Sequence, residues 1–76
     1  MKNKVKEKRL NMNLTQVELS EKVGVTSRTI ISLEKGHYRP SIMLAYRLAS
    51  IFDTNIEELF CLKENKEMED KKYEDI

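Results

Sequence analysis

Apolar residues recur along this chain at helical spacing, in short segments separated by turn-forming residues. From Val5 to Met12 the pattern predicts a helix with Val5, Arg9 and Met12 on one face. Thr15 precedes the next periodic segment and has Glu18 three residues on, the spacing at which a Thr hydroxyl and a Glu carboxylate cap a helix start reciprocally. That helix sets Leu19 and Val23 one turn apart and stops at Gly24, which enters the left-handed region without a Cβ penalty. Thr26 restarts the chain as a second N-cap, and Ile30 and Leu33 form the next apolar edge. Lys35 to Pro40 reads as a loop, with Pro40 barring a helix through it. Ser41 caps a further helix carrying Ile42, Ala45, Leu48, Ala49 and Phe52 toward the core. Asn55 and Glu58 repeat the capping spacing and open a short fifth helix through Ile56, Leu59 and Phe60. Met1–Lys4 reads as a loose end or an added edge strand. From Lys63 the periodicity fails: KENKEMEDKKYEDI is mostly charged, with only Met68, Tyr73 and Ile76 apolar. Such a segment buries too little surface to offset its ordering entropy, so disorder or a frayed helix is expected.

The stretch Thr15–Glu34 is thus two short helices joined at Val23-Gly24-Val25, the helix-turn-helix plan in which the second helix can enter the DNA major groove. Spacing alone does not establish that role, because many helical hairpins turn at Gly. The outer face of the second helix adds to it. Ser27, Arg28, Thr29, Ile31 and Ser32 lie at its start and away from Ile30 and Leu33. They supply short donors and acceptors, an Arg and an apolar Ile, groups able to read guanine edges and thymine methyls.

Charge strengthens this reading through its distribution. The net charge of the 76 residues is only +1. Residues 1–40 hold nine Lys/Arg against four acids, or +5, and residues 41–76 hold five against nine, or −4. A basic half that carries the helix-turn-helix is the asymmetry of a DNA reader. At this length the chain is one domain that buries only about 60% of its unfolded surface, so pairing with a second copy would add core. No apolar run is long enough to span a bilayer and no signal-peptide pattern is present, which makes the cytoplasm the expected compartment. Cys61 is the single cysteine and His37 the single histidine, so neither an internal disulfide nor a metal-ligand cluster is expected. Cys61 and His37 also lack the oxyanion motif and third group of a nucleophilic site, and no Gly-rich phosphate loop exists. No catalysis, cofactor or small-molecule ligand is expected.

The run VKEKRLNMNLTQVELSEKVGVTSRTIISLEKGHYRPS resembles the helix-turn-helix domain of the phage-repressor-like (Xre) transcriptional regulators, in particular short Gram-positive members of the cytolysin-operon repressor type. The likeness covers roughly residues 5 to 60 and rests on Thr15-Gln16, Leu19, Gly24-Val25, Thr29-Ile30, Leu33-Glu34, Gly36 and Pro40-Ser41. It implies an all-α, five-helix, lambda-repressor-like fold, with which a short C-terminal strand extension is compatible. Two positions depart from the pattern. Lys8 stands where relatives often place Leu, so its alkyl stem must cover core while the ammonium reaches water. Asn13 replaces the usual helix-ending Gly, and Asn is the next most tolerant of left-handed backbone.

The resemblance also implies roles. Gln16 would bond a DNA phosphate, Arg28 would read a guanine, and Thr26, Ser27, Thr29 and Ser32 would touch bases or phosphates or serve the helix start. Ile31 fits either a thymine methyl or a lone surface position. Lys35, Tyr38 and Arg39 would flank the recognition helix and grip phosphates, with Tyr38 equally suited to packing on the following helix. Arg9 and Glu34 would form a partly buried ion pair. Residues 1–62 would be the DNA-binding domain, with a dimerisation segment over 55–62 that uses Ile56, Leu59, Phe60, Cys61 and Leu62, and 63–76 would be a charged tail. The expected activity is sequence-specific binding of double-stranded DNA by a homodimer on a two-fold-related operator, most simply as a repressor. Activation, a controller or antitoxin role, or a scaffold that has lost DNA binding are the alternatives.

Overall fold

The computed structural model describes residues 1–74, and side chains as far as Lys72; Asp75, Ile76 and the side chains of Tyr73 and Glu74 lie outside the described residues. Six helices follow one another: α1 (Val5–Asn11), α2 (Gln16–Val23), α3 (Ser27–Glu34), α4 (Ile42–Ile51), α5 (Ile56–Leu59) and α6 (Leu62–Glu74). Among the described residues there is no strand. Each of α2 to α5 starts where a short polar side chain takes a free amide. The hydroxyls of Thr15, Thr26 and Ser41 accept from Glu18 N, Thr29 N and Leu44 N, and the Asn55 side chain accepts from Glu58 N.

The five junctions share one device. Each contains a residue at positive φ: Asn13 (56°), Gly24 (75°), Gly36 (79°), Asp53 (52°) and Cys61 (48°). A left-handed residue reverses the chain in a minimum of length, which is how so short a sequence wraps α1 to α5 round one centre and sets α6 beside them. That centre is built from Val5, Leu19, Val23, Ile30, Leu33, Leu44, Leu48, Leu59 and Phe60, with Ala45, Ala49 and Phe52 between them.

Three features differ from the reading of the sequence. Met12 is half exposed, because α1 ends at Asn11 and the turn at Asn13 carries Met12 off the core face; Leu14 packs there instead. Ile42 is 78% exposed while Leu44 takes a core position. Ile42 shares a side with Ala49, seven residues on, but stands in the first turn of α4 and overhangs the core rather than entering it. The charged tail, finally, is a sixth helix. It is held by polar links rather than an apolar face, Lys2 Nζ to Glu64 at 2.7 Å and Arg39 to Glu69, while Lys66 pairs with Asp70 one turn on within the helix at 2.7 Å. Asn65 fastens its start, its amide donating to Lys2 O at 2.8 Å and Phe60 O at 2.7 Å while its oxygen accepts from Lys2 N at 3.1 Å.

Residues 1–4 form neither a strand nor a loose end. The Met1 amine donates to Gly36 O at 2.6 Å, Asn3 Nδ2 to Leu33 O at 2.8 Å and Lys4 N to Leu59 O at 2.8 Å. The first residues therefore tie the end of α3 to the end of α5.

Phe60 is 1% exposed and one of the largest side chains in this core. Phe60→Ala is expected to destabilise the fold by about 3–5 kcal/mol through cavity formation. Denaturant unfolding of the variant and the wild-type chain at one protein concentration checks that loss.

Candidate nucleic-acid interface

α2 and α3 are locked to each other before either meets a ligand. Thr15 and Glu18 form the reciprocal cap, Glu18 N donating to Thr15 Oγ1 at 3.0 Å and Thr15 N to Glu18 Oε1 at 2.9 Å. The Thr15 backbone amide, with the Thr15 hydroxyl second, holds the Glu18 carboxyl below its ordinary range. Gly24 closes α2 and Val25 N returns to Ser20 O at 3.0 Å. Leu19, Val23, Ile30 and Leu33, all 2% exposed or less, weld the two helices to the core. With Ile30 and Leu33 committed to the core, the opposite side of α3 is the one left to solvent as a template.

That outer face carries Arg28 and Ile31, one turn apart and both exposed, with Ser27, Thr29 and Ser32 half-buried beside them. Arg28 makes no ion pair among the described residues. Thr29 serves the helix start: its hydroxyl lies 3.2 Å from Thr26 Oγ1 and its amide donates to the same oxygen at 3.3 Å. Lys35 and Tyr38 are exposed beyond the helix end, as is His37. Arg39, in the same loop, turns to α6 and pairs with Glu69, where it lines a cleft with Met1, Lys2, Asn65 and Met68.

Behind the template sits a buried carboxylate. Glu34 Oε2 accepts from Arg9 Nε at 2.7 Å and Glu34 Oε1 from Arg9 Nη2 at 3.2 Å, with the two side chains only 8% and 3% exposed. Arg9 Nη1 donates to Leu14 O at 2.8 Å, and Gln16 Nε2 donates to Glu34 Oε1 at 3.1 Å. One group thus joins α1, the start of α2 and the end of α3, and Gln16, at the first position of α2, is drawn into it.

The segment expected to face a second copy divides into buried and accessible positions within the protomer. Leu59, Phe60 and Cys61 are 0%, 1% and 7% exposed, their surface already spent in the protomer's own core. Ile56 is half-buried, and Leu62 is exposed. What the spacing did not reveal is an apolar surface on α4: Ile42, Met43 and Tyr46 are 78%, 56% and 60% exposed. Ile42 borders a cleft whose other walls include Pro40, Ala45, Ile56, Phe60 and Leu62. Placing Ile42 in the core hid this surface. Among the described residues no group of three His, Cys, Asp or Glu could hold a metal ion, and no helix is long and apolar enough to cross a membrane.

The profile of a helix-turn-helix family matches residues 5–59, which contains the whole of α1 to α5. An uncharacterised HTH-type transcriptional regulator of Archaeoglobus fulgidus is 46% identical over 66 residues, covering 87% of this chain and 93% of the relative. One from Methanocaldococcus jannaschii is also 46% identical over 66 residues, covering 87% of this chain and 100% of its own. The HTH-type transcriptional regulator YgzD of Bacillus subtilis is 45% identical over 64 residues, 84% of this chain and 97% of that protein.

The Arg9–Glu34 geometry makes a thermodynamic statement that can be checked. Arg9→Ala and Glu34→Ala should each destabilise by about 3–5 kcal/mol, because each strands a buried charge. The double variant should cost clearly less than the sum, giving a coupling energy in a denaturation cycle. Strict additivity would mean that the two side chains do not meet in solution.

Proposed function

The chain belongs to the Xre-like helix-turn-helix family, whose members regulate transcription by binding DNA, and on that premise we propose that it binds a two-fold-related operator as a homodimer, with α3 in the major groove, and represses by occupying a promoter. The observation that carries this reading is the contrast between the two sides of α3. Ile30 and Leu33 are 0% exposed, while Arg28 projects from the outer side without an ion pair among the described residues. A guanidinium held there suits the bidentate O6/N7 edge of guanine. Ser27, Thr29, Ile31 and Ser32 form the rest of the groove-facing surface. Gln16, Thr26, Lys35 and Tyr38 surround it at the height of the phosphates. Arg39 joins them when it leaves Glu69.

A second copy suits the cleft beside Ile42. A face that carries both a projecting Ile and an apolar hollow is self-complementary, as a two-fold contact requires. Pairing there would cover Ile42 together with Ile56 and Leu62, and two recognition helices about 34–36 Å apart would meet successive turns of one DNA face. Ile42 lies outside the core, so Ile42→Glu should leave the monomer folded. It is expected to shift sedimentation at micromolar concentration from dimer to monomer and to abolish cooperative occupancy of the two half-sites.

Enrichment of duplexes from a randomised pool tests the DNA reading directly. With an enriched duplex in hand, Arg28→Ala should cost about 1–3 kcal/mol and relax preference at one base pair per half-site. Arg39→Ala should weaken all sequences nearly alike and lower the salt slope by about one unit per contact removed. If Arg28→Ala weakens every sequence equally, the recognition role is assigned to the wrong residue.

A further inference from the structure

We propose that α6 is an autoinhibitory clasp: docked, it holds Arg39 on Glu69 and fixes the loop that follows α3, and undocked it releases both to DNA. The proposal rests on the DNA-binding reading above and deepens it with a regulation. α6 grips that loop along two routes. The direct one is the Arg39–Glu69 pair, between residues thirty apart in the chain. The other runs through residues 1–4. Asn65 clamps the backbone of Lys2, donating to its carbonyl at 2.8 Å and accepting from its amide at 3.1 Å, and Glu64 takes the Lys2 ammonium at 2.7 Å. The next residue, Asn3, donates to Leu33 O at 2.8 Å in the last turn of α3 and accepts from Val5 N at 3.1 Å at the start of α1. Whatever holds Lys2 therefore also sets Asn3 against the end of the recognition helix.

The clasp is built to open. Among the described residues no apolar side chain of α6 joins the core cluster, and Leu62 and Met68 are exposed. Its links to the rest of the chain are ions and amide bonds near the surface, where water and salt compete with them. The Arg39 side chain stays 73% exposed while paired, so a second anion can approach the guanidinium before Glu69 has left. Glu69 is thus an internal oxyanion on a group that suits phosphate equally, and the two compete. Because the competitor belongs to the same chain, dilution does not weaken it. A backbone contact carries no sequence information, so this competition lowers affinity for every duplex alike.

Affinity is measured by fluorescence anisotropy on a duplex that the wild-type chain enriches from a randomised pool, and on one of unrelated sequence. Glu69→Gln should tighten both about two- to fivefold, the reach of one exposed ion pair. Glu67→Gln removes the same charge from an exposed residue that makes no ion pair among the described residues, and should tighten neither by as much. In an Arg39→Ala background Glu69→Gln should add nothing further. The second route is read without DNA, by amide hydrogen exchange of the full chain. Asn65→Ala should speed exchange severalfold at Gly36 and His37, whose amides close on Leu33 O and Ser32 O, while Leu19 and Val23 in the core keep wild-type protection. No gain from Glu69→Gln, a gain matched by Glu67→Gln, or one that survives in Arg39→Ala would overturn the clasp. Unchanged exchange at Gly36 and His37 would overturn it as well. A wild-type chain that enriches no duplex would instead overturn the DNA-binding reading, and exchange would then decide the docking by itself.

Discussion

The structure depends on a charge pair that has been taken out of water. Desolvating a guanidinium and a carboxylate costs several kcal/mol per ion, and attraction repays it only when the remaining donors and acceptors are also satisfied. Here they are. Arg9 uses three of its nitrogens, two on Glu34 and one on Leu14 O, and Glu34 receives Gln16 besides. No buried side-chain polar atom lacks a partner among the described residues. The pair does by electrostatics what a larger protein would do with more core. It joins α1 to the end of α3 and to the start of α2, the two outer ends of the helix-turn-helix.

A second constraint follows from brevity. With helices of four to thirteen residues, none would be stable alone, and the reversals between them must be short. Two of the left-handed junction residues are Gly; the other three, Asn13, Asp53 and Cys61, carry side chains at some steric cost. Gly36 shows why the choice matters where it falls. A Cβ there would come within 3.0 Å of Met1 O, at the point where the N-terminal residues dock on the end of α3. Backbone conformation and docking of the chain's start are thus one requirement at that position.

Much of this was legible in the residues because it is written locally. The caps at Thr15, Thr26, Ser41 and Asn55 and the stop at Gly24 each depend on two or three neighbouring positions, and every one stands where spacing put it. The outer face of α3 followed from the same local rule. What failed depended on the ends of elements or on links without periodicity. Met12 was lost to a helix one residue shorter than expected. Ile42 has the right angular position, yet the first turn of α4 extends past the helices it would pack on. The tail offered no apolar stripe, because α6 is held through Asn65 and through ions on partners more than thirty residues away or, for Arg39, thirty. Spacing within a segment carries no information about such partners.

The tail also bears on how a chain of net charge +1 can present a basic face. Its exposed ion pairs are worth little to stability, and their reach in physiological salt is about 8 Å. Their effect is on the field. Glu64 takes Lys2 and Glu69 takes Arg39, cations at the margin of the molecule, and the Lys2 bond in turn holds the Glu64 carboxyl below its ordinary range. Arg28 and Lys35, on and just past α3, have no such partner among the described residues. The carboxylates of α6 thus screen Lys2 and Arg39, while the charges on α3 and just past it are left unscreened by ion pairs. On the proposed reading, in which Arg28 enters the groove, unscreened charge on α3 favours the orientation that docking would need. The acidic tail then acts locally, on the two cations it reaches, and on the proposed reading Arg39 serves a phosphate only after it has exchanged Glu69 for it.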